Sequence, residues 1–180
     1  QTGAEQVFMS RRFEPDAFVR DADIVHALSS DDVACHGFNG SLLARPGAVL
    51  TDAGRPYKVF TPFMKALLKA VPASSLEPSP SDLLTLDGLA SDDIEQWGLH
   101  PSAPDWSGGF KWSPGEAGAA SALSAFIAGA LKTYEVDRDV PGREGTSRLS
   151  PHLHWGEISP RRVVQNARSA AAEGRAAPAQ

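Results

Sequence analysis

Between residues 72 and 114 the chain carries six prolines, at 72, 78, 80, 101, 104 and 114, and four glycines, at 88, 98, 108 and 109. No long regular element can run through such a stretch. Proline removes a backbone donor and both residue types interrupt helices and strands. A structureless loop of this length is unusual inside one compact domain, so it reads as a linker with room for one helical turn. Leu83, Leu84, Leu86, Trp97 and Trp106 are expected to drape it over a neighbouring domain. With 180 residues in all, the chain has room for one ordinary domain or for pieces of two. The division expected is 1–71, a linker at 72–112, and 113–180.

The two flanks carry different periodicities. Val7-Phe8-Met9 is an apolar run fit for a buried strand. Glu14-Pro15-Asp16 starts a helix through about Leu28, with Phe18, Ala22, Val25 and Leu28 on one face. A second strand is expected at Val33–Phe38, with a turn at Asn39-Gly40. Strand, helix, strand in forty residues is the pattern of an α/β domain. No Gly-x-Gly-x-x-Gly follows the first strand, so that pattern alone does not assign dinucleotide binding. Turns follow at Pro46-Gly47 and Gly54-Arg55-Pro56, then a helix opening at Thr61-Pro62 with Phe63, Leu67, Leu68 and Val71 as its stripe.

Past the linker everything reads as helix. Ser113-Pro114-Gly115-Glu116 has the spacing of a capping box. Leu123, Phe126, Ile127, Ala130, Leu131 and Tyr134 then fall on one helical face. Gly142 to Gly145 is a loop, Ser150 to Trp155 a short helix ended by Gly156, and Ser159-Pro160 opens another. The fold class expected is α/β followed by all-α.

A hydrophobic content of 42% with interspersed charge describes a globular chain without a bilayer-length apolar run. The N-terminus has neither the basic start nor the apolar core of a signal peptide, and it lacks an initiator methionine. A lone cysteine, Cys35, fits a reducing cytosol and is expected to be a small buried residue. The Asn39-Gly40-Ser41 sequon has no role without a secretory route. Net charge is −5, which argues against a polyanionic partner. The distribution softens that argument. Residues 1–131 carry nine Lys/Arg against sixteen Asp/Glu, whereas 132–168 carry seven against five.

The modestly basic segment holds the densest chemistry. Gly145 frees the backbone to turn, Thr146, Ser147 and Ser150 offer hydroxyls, and Arg148 offers a forked cation. Ser150 is expected to cap a helix with Pro151 in its first turn. Together these groups make a cradle for phosphate or pyrophosphate. On residue chemistry alone, a core role for Tyr134 and a plain helix cap at Ser150-Pro151 remain the alternative. His152 and His154 are two apart, on different helical faces, and the other histidines are isolated, so no metal site is expected. Trp97, Trp106, Trp112 and Trp155 are expected to be core or linker anchors, and no hydrolytic constellation stands out.

The wording of this segment resembles the flavin-binding signature of the DNA photolyase/cryptochrome family, in which Tyr-x-x-x-Arg-Asp-x-Pro precedes Gly-Thr-Ser-Arg-Leu-Ser-Pro. Here Tyr134, Arg138-Asp139 and Pro141 are followed by Gly145 through Pro151. Arg11-Arg12-Phe13-Glu14-Pro15, Phe38 to Leu43, Tyr57 to Phe63, and Pro104-Asp105-Trp106-Ser107-Gly108-Gly109 through Glu116 resemble family segments in the same order. The resemblance implies the C-terminal part of a Rossmann-like antenna domain at 1–71, an interdomain linker, and the first helices of a helical FAD-binding domain from 113.

It further implies FAD as cofactor, held by Tyr134, Thr146, Ser147, Arg148, Leu149 and Ser150, and damaged DNA as partner, with Arg138 meeting a phosphate. No residue of this chain is implied to be catalytic by itself. The implied reaction is light-driven splitting of cyclobutane pyrimidine dimers by electron transfer from reduced FAD, in a cytoplasmic protein that is a monomer at full length. Asp16-Ala17 stands where some members place an Asn-Glu pair for a folate antenna. Alanine cannot accept a hydrogen bond from a pterin, so folate is not expected and the antenna chromophore is left unassigned. The family pattern also implies an internal fragment, whose isolated chain is expected to repair little. Two other readings stay open: a cryptochrome-type photoreceptor, and a helical module that binds another phosphate.

Overall fold

The computed structural model describes residues 3–71, 81, 82, 85, 86, 88–100 and 103–174. Leu83 and Leu84 of the expected drape, and the alanine-rich end past 174, lie outside the described residues.

The α/β part is a single strand–helix–strand unit. Strand β1 (Gln6–Ser10) pairs in parallel with β2 (Ala34–Phe38), with Val7 opposite Cys35 and Met9 opposite Gly37. Parallel neighbours need a long crossover, and helix α1 (Pro15–Ser30) supplies it. Pro15 sits in the first turn of α1, where its missing N–H costs nothing. The helix ends at Asp31-Asp32, where Asp32 takes a left-handed φ of 59° and the Val33 N–H donates to the Leu28 carbonyl at 2.9 Å. The expected inner face needs a correction. Ala17, Asp21, Val25 and Leu28 are the half-buried positions, while Phe18 is 63% exposed and Ala22 is exposed. Both series share Val25 and Leu28. Cys35 is half-buried, with its thiol 3.9 Å from the Val33 carbonyl.

Helix α2 (Phe60–Ala70) starts one residue before the expected Thr61 and buries Leu67, with Val71 buried just past its end. The linker holds two single turns of 3-10 helix, Ile94–Trp97 and Ser107–Gly109. Its described apolar residues do not drape over a domain: Leu86, Trp97 and Trp106 are all exposed. Neither do the other two tryptophans anchor a core, since Trp112 and Trp155 are exposed as well.

Helix α3 (Glu116–Ala128) begins from Gly115 at φ 91°, without a side-chain cap. The expected Ser113–Glu116 capping box therefore does not form. Instead the Ser113 carbonyl lies over the first turn, so close that a Cβ on Gly118 would sit 1.7 Å from it. The long amphipathic helix expected through Tyr134 is also interrupted. At Gly129 the backbone leaves helical angles (φ −118°, ψ −92°), a 3-10 turn follows at Ala130–Lys132, and α4 (Tyr134–Asp137) is a single turn. The stripe survives as far as Leu131; Tyr134 swings to the surface and meets Phe126 edge-on at 5.7 Å.

Helices α5 (Ser150–Trp155) and α6 (Pro160–Ala172) close the fold. Gly156, at φ 74°, terminates α5, and the Ser159 hydroxyl accepts the Arg162 N–H at the start of α6, both as the sequence predicts. Ala119, Leu123, Leu149 and Ile158 form the buried core, flanked by Ile127, Leu153 and Val163. The two parts of the chain meet where Arg168 of α6 donates to the Leu68 carbonyl of α2 at 2.6 Å. No helix among the described residues is long and apolar enough to cross a membrane.

Candidate functional site

The cradle segment is shaped by one close approach and one left-handed residue. Gly145 is buried against α4, where an added Cβ would lie 2.5 Å from the Asp137 carbonyl carbon. Only glycine fits there. Asp137 is itself fixed: the Thr133 hydroxyl first, and then the Arg143 guanidinium, hold its carboxyl below the ordinary range. Three residues on, Arg148 takes φ 50°. The turn there leaves Leu149 1% exposed in the core and brings Thr146, Ser147, Arg148 and Ser150 to the wall of one cavity of about 960 Å³.

The expected cap at Ser150 is corrected in a way that bears on chemistry. Leu149 occupies the cap position of α5, Ser150 is its first residue, and no side chain caps the helix. Among the described residues, the hydroxyls of Thr146, Ser147 and Ser150 have no hydrogen-bond partner within the protein. Their residues line the cavity. Among the described residues Arg148 pairs with Glu144 at 3.2 Å, and both side chains are exposed. An exposed pair of this kind contributes about 0–1 kcal/mol, so a phosphate could displace the carboxylate at little cost. The cavity lies near the top of the roughly 300–1,000 Å³ range of small-molecule sites. Hydroxyls, an exposed guanidinium and this volume suit a ligand that carries a phosphate group.

The structure separates the remaining site candidates. Tyr134 at the start of α4 and Arg138 just past its end sit together, with the guanidinium 5.7 Å from the ring centroid, outside the residues that line the cavity. Arg138 also pairs with Asp139 at 3.5 Å. Leu149 offers the cavity no side chain. Arg138, Arg143 and Arg148 each have an acidic neighbour.

Two features were not foreseen from the sequence. His152, 2% exposed, shares a 2.5 Å hydrogen bond between Nδ1 and Glu157 Oε2. The His152 bond first, and then the Gly115 N–H, hold the Glu157 carboxyl below its ordinary value. Phe110 and Trp112 also line the cavity. Their spacing of two in an extended segment was the available signal. His154 is exposed, and no cluster of His, Cys, Asp or Glu among the described residues could hold a metal ion.

Comparison with known proteins gives a consistent picture. Residues 1–81 match the DNA photolyase family. The chain is 40% identical over 166 residues to the deoxyribodipyrimidine photo-lyase of Agrobacterium fabrum, covering 91% of this chain and 35% of that protein. It is 35% identical to cryptochrome-1 of Arabidopsis thaliana, over 90% of this chain and 24% of that protein. The fold is similar to the crystal structure of a bacterial class III photolyase from Agrobacterium tumefaciens. The TM-score is 0.83 at 38% identity, covering 95% of this chain and 36% of that one. The chain thus spans about a third of the length of these photolyases.

Proposed function

The chain belongs to the DNA photolyase/cryptochrome family, and from that premise we propose that it supplies part of the FAD site of a light-driven DNA-repair protein. The supporting observation is that Thr146, Ser147, Arg148 and Ser150 meet on the wall of one cavity. In this reading Thr146, Ser147 and Ser150, with Arg148 released from Glu144, would hold the diphosphate. Tyr134 and Leu149, which do not line the cavity, are carried into the reading by the family signature alone. Arg138 lies on the outer surface, where it positions DNA through a phosphate without reading sequence.

The chemistry that a reduced flavin supplies when bound is electron donation to a cyclobutane pyrimidine dimer flipped from the duplex, a base-flipping case that photolyases exemplify in general. The residues of this chain bind and orient; none of them moves a proton or forms a bond in the reaction. Residues 1–71 are assigned to the end of an antenna domain, 72–112 to the linker, and 113–180 to the start of the FAD domain. Similarity to the plant cryptochrome supports a second reading, a photoreceptor built on the same flavin site.

The direct test is the absorption spectrum of the purified chain after incubation with FAD and desalting. A retained flavin band is expected. A spectrum without one would overturn the claim that these elements form a usable site in this chain. Repair of dimer-containing DNA by the full-length protein separates photolyase from photoreceptor.

A further inference from the structure

The cavity has a second chemical character that the phosphate cradle leaves unused. Phe110 and Trp112 stack at 5.1 Å between centroids with planes 20° apart, and Trp106 braces Phe110 edge-on at 5.7 Å. Both stacked rings remain about half exposed, at 52% and 45%, yet both border the cavity that holds Thr146, Ser147, Arg148 and Ser150. Lys111, between them, adds a cation to the lining. Hydroxyls and a guanidinium on one part of a cleft, with a braced aromatic pair on another, match a ligand with a phosphate end and a planar ring end. Aromatic rings prefer such offset stacking, and a pair already held parallel loses little freedom when a third ring joins.

We infer that Phe110 and Trp112 form the ring-stacking wall of this cleft, taking a planar heteroaromatic ring of the dinucleotide whose diphosphate lies on the 146–150 cradle. The inference rests on the flavin reading above and adds to it the two residues that select for a ring. Neither belongs to the signature segment. Their exposure makes substitution safe for folding, because neither contributes to the buried core.

The test is a set of fluorescence and calorimetric titrations of the full chain with FAD and with inorganic pyrophosphate, for the native protein, Trp112→Leu and Trp112→Phe. Trp112→Leu is expected to weaken FAD about tenfold, toward the low end of base–aromatic stacking, and to leave pyrophosphate affinity unchanged. Trp112→Phe should restore most of the loss, and part of the tryptophan quenching caused by FAD should disappear in both variants. Titration with ADP and FMN identifies the ring, since a loss confined to either one supports the wall and names its occupant. FAD binding that Trp112→Leu leaves unchanged would overturn the inference and spare the flavin reading. Pyrophosphate binding as tight as FAD binding would overturn both, in favour of a simple phosphate site. Equal losses for FAD and pyrophosphate in Trp112→Leu would reduce Trp112 to a structural residue and also overturn the inference.

Discussion

Arg148 carries two demands at once. Its left-handed φ of 50° turns the chain between cradle and core, and its guanidinium is the only cation that the 145–150 segment presents to the cavity. Hydrogen bonds to charged groups contribute about 1.5–3 kcal/mol, which is roughly ten- to a hundredfold in affinity. Arg148→Gln is therefore expected to weaken FAD and pyrophosphate alike by at least about tenfold at pH 7. Isothermal titration of both ligands checks this, and unchanged affinities would remove Arg148 from the site. The parallel loss distinguishes Arg148 from Trp112, whose substitution is expected to affect only ligands with a ring. The residue chemistry of the cradle was legible because hydroxyls, an arginine and a glycine sit consecutively. What could not be read was which of them faces the cavity. Leu149 is adjacent to Arg148 and Ser150, yet it is the residue sent inward.

At the scale of elements, α5 and the head of α3 share a polar contact. Glu157, in the turn after α5, bonds His152 inside α5 and reaches the Gly115 N–H at the head of α3. Its folded pKa is lowered from the ordinary 4.5, so its contribution to stability is in place above that pH and is lost as pH falls through the lowered value. Urea unfolding of the native chain should show a midpoint that drops as pH is taken below 4.5. Glu157→Gln should start lower at pH 7 and change less over the same range. Equal pH slopes for the two proteins would refute this role. The expected Ser113 box failed because local spacing is only one route to satisfying the first N–H groups of a helix. Here Gly115 adopts φ 91°, which turns Ser113 away from that task. Gly129 similarly cut a stripe that read as one helix, because periodicity reports which face is apolar and not whether the backbone stays helical along it.

Over the whole molecule, tight burial is concentrated on one side. Ala119, Leu123, Leu149, His152 and Ile158 are buried among the helices, whereas β1 and β2 have no buried residue, and Phe8, His36 and Phe38 stack on an exposed sheet face. A two-stranded sheet is marginal by itself. Amide hydrogen exchange is expected to be slowest in α3 and at the start of α6, and faster throughout Gln6–Ser10 and Ala34–Phe38. Strand protection equal to that of α3 would contradict this ranking. The sequence by itself determined the strand–helix–strand unit, the helices that follow it and the composition of the 145–150 segment. Each of these follows from local periodicity, from Pro and Gly as breakers, or from a run of consecutive residues. Only the tertiary structure decided that Leu149 leaves the cradle for the core, that Glu157 meets both His152 and Gly115, that the linker tryptophans stay exposed, and that Phe110 and Trp112 join a cavity with Ser147 and Arg148. These outcomes bring together groups that are far apart in sequence or turned by a single backbone angle, and neither relation leaves a periodic trace in the chain.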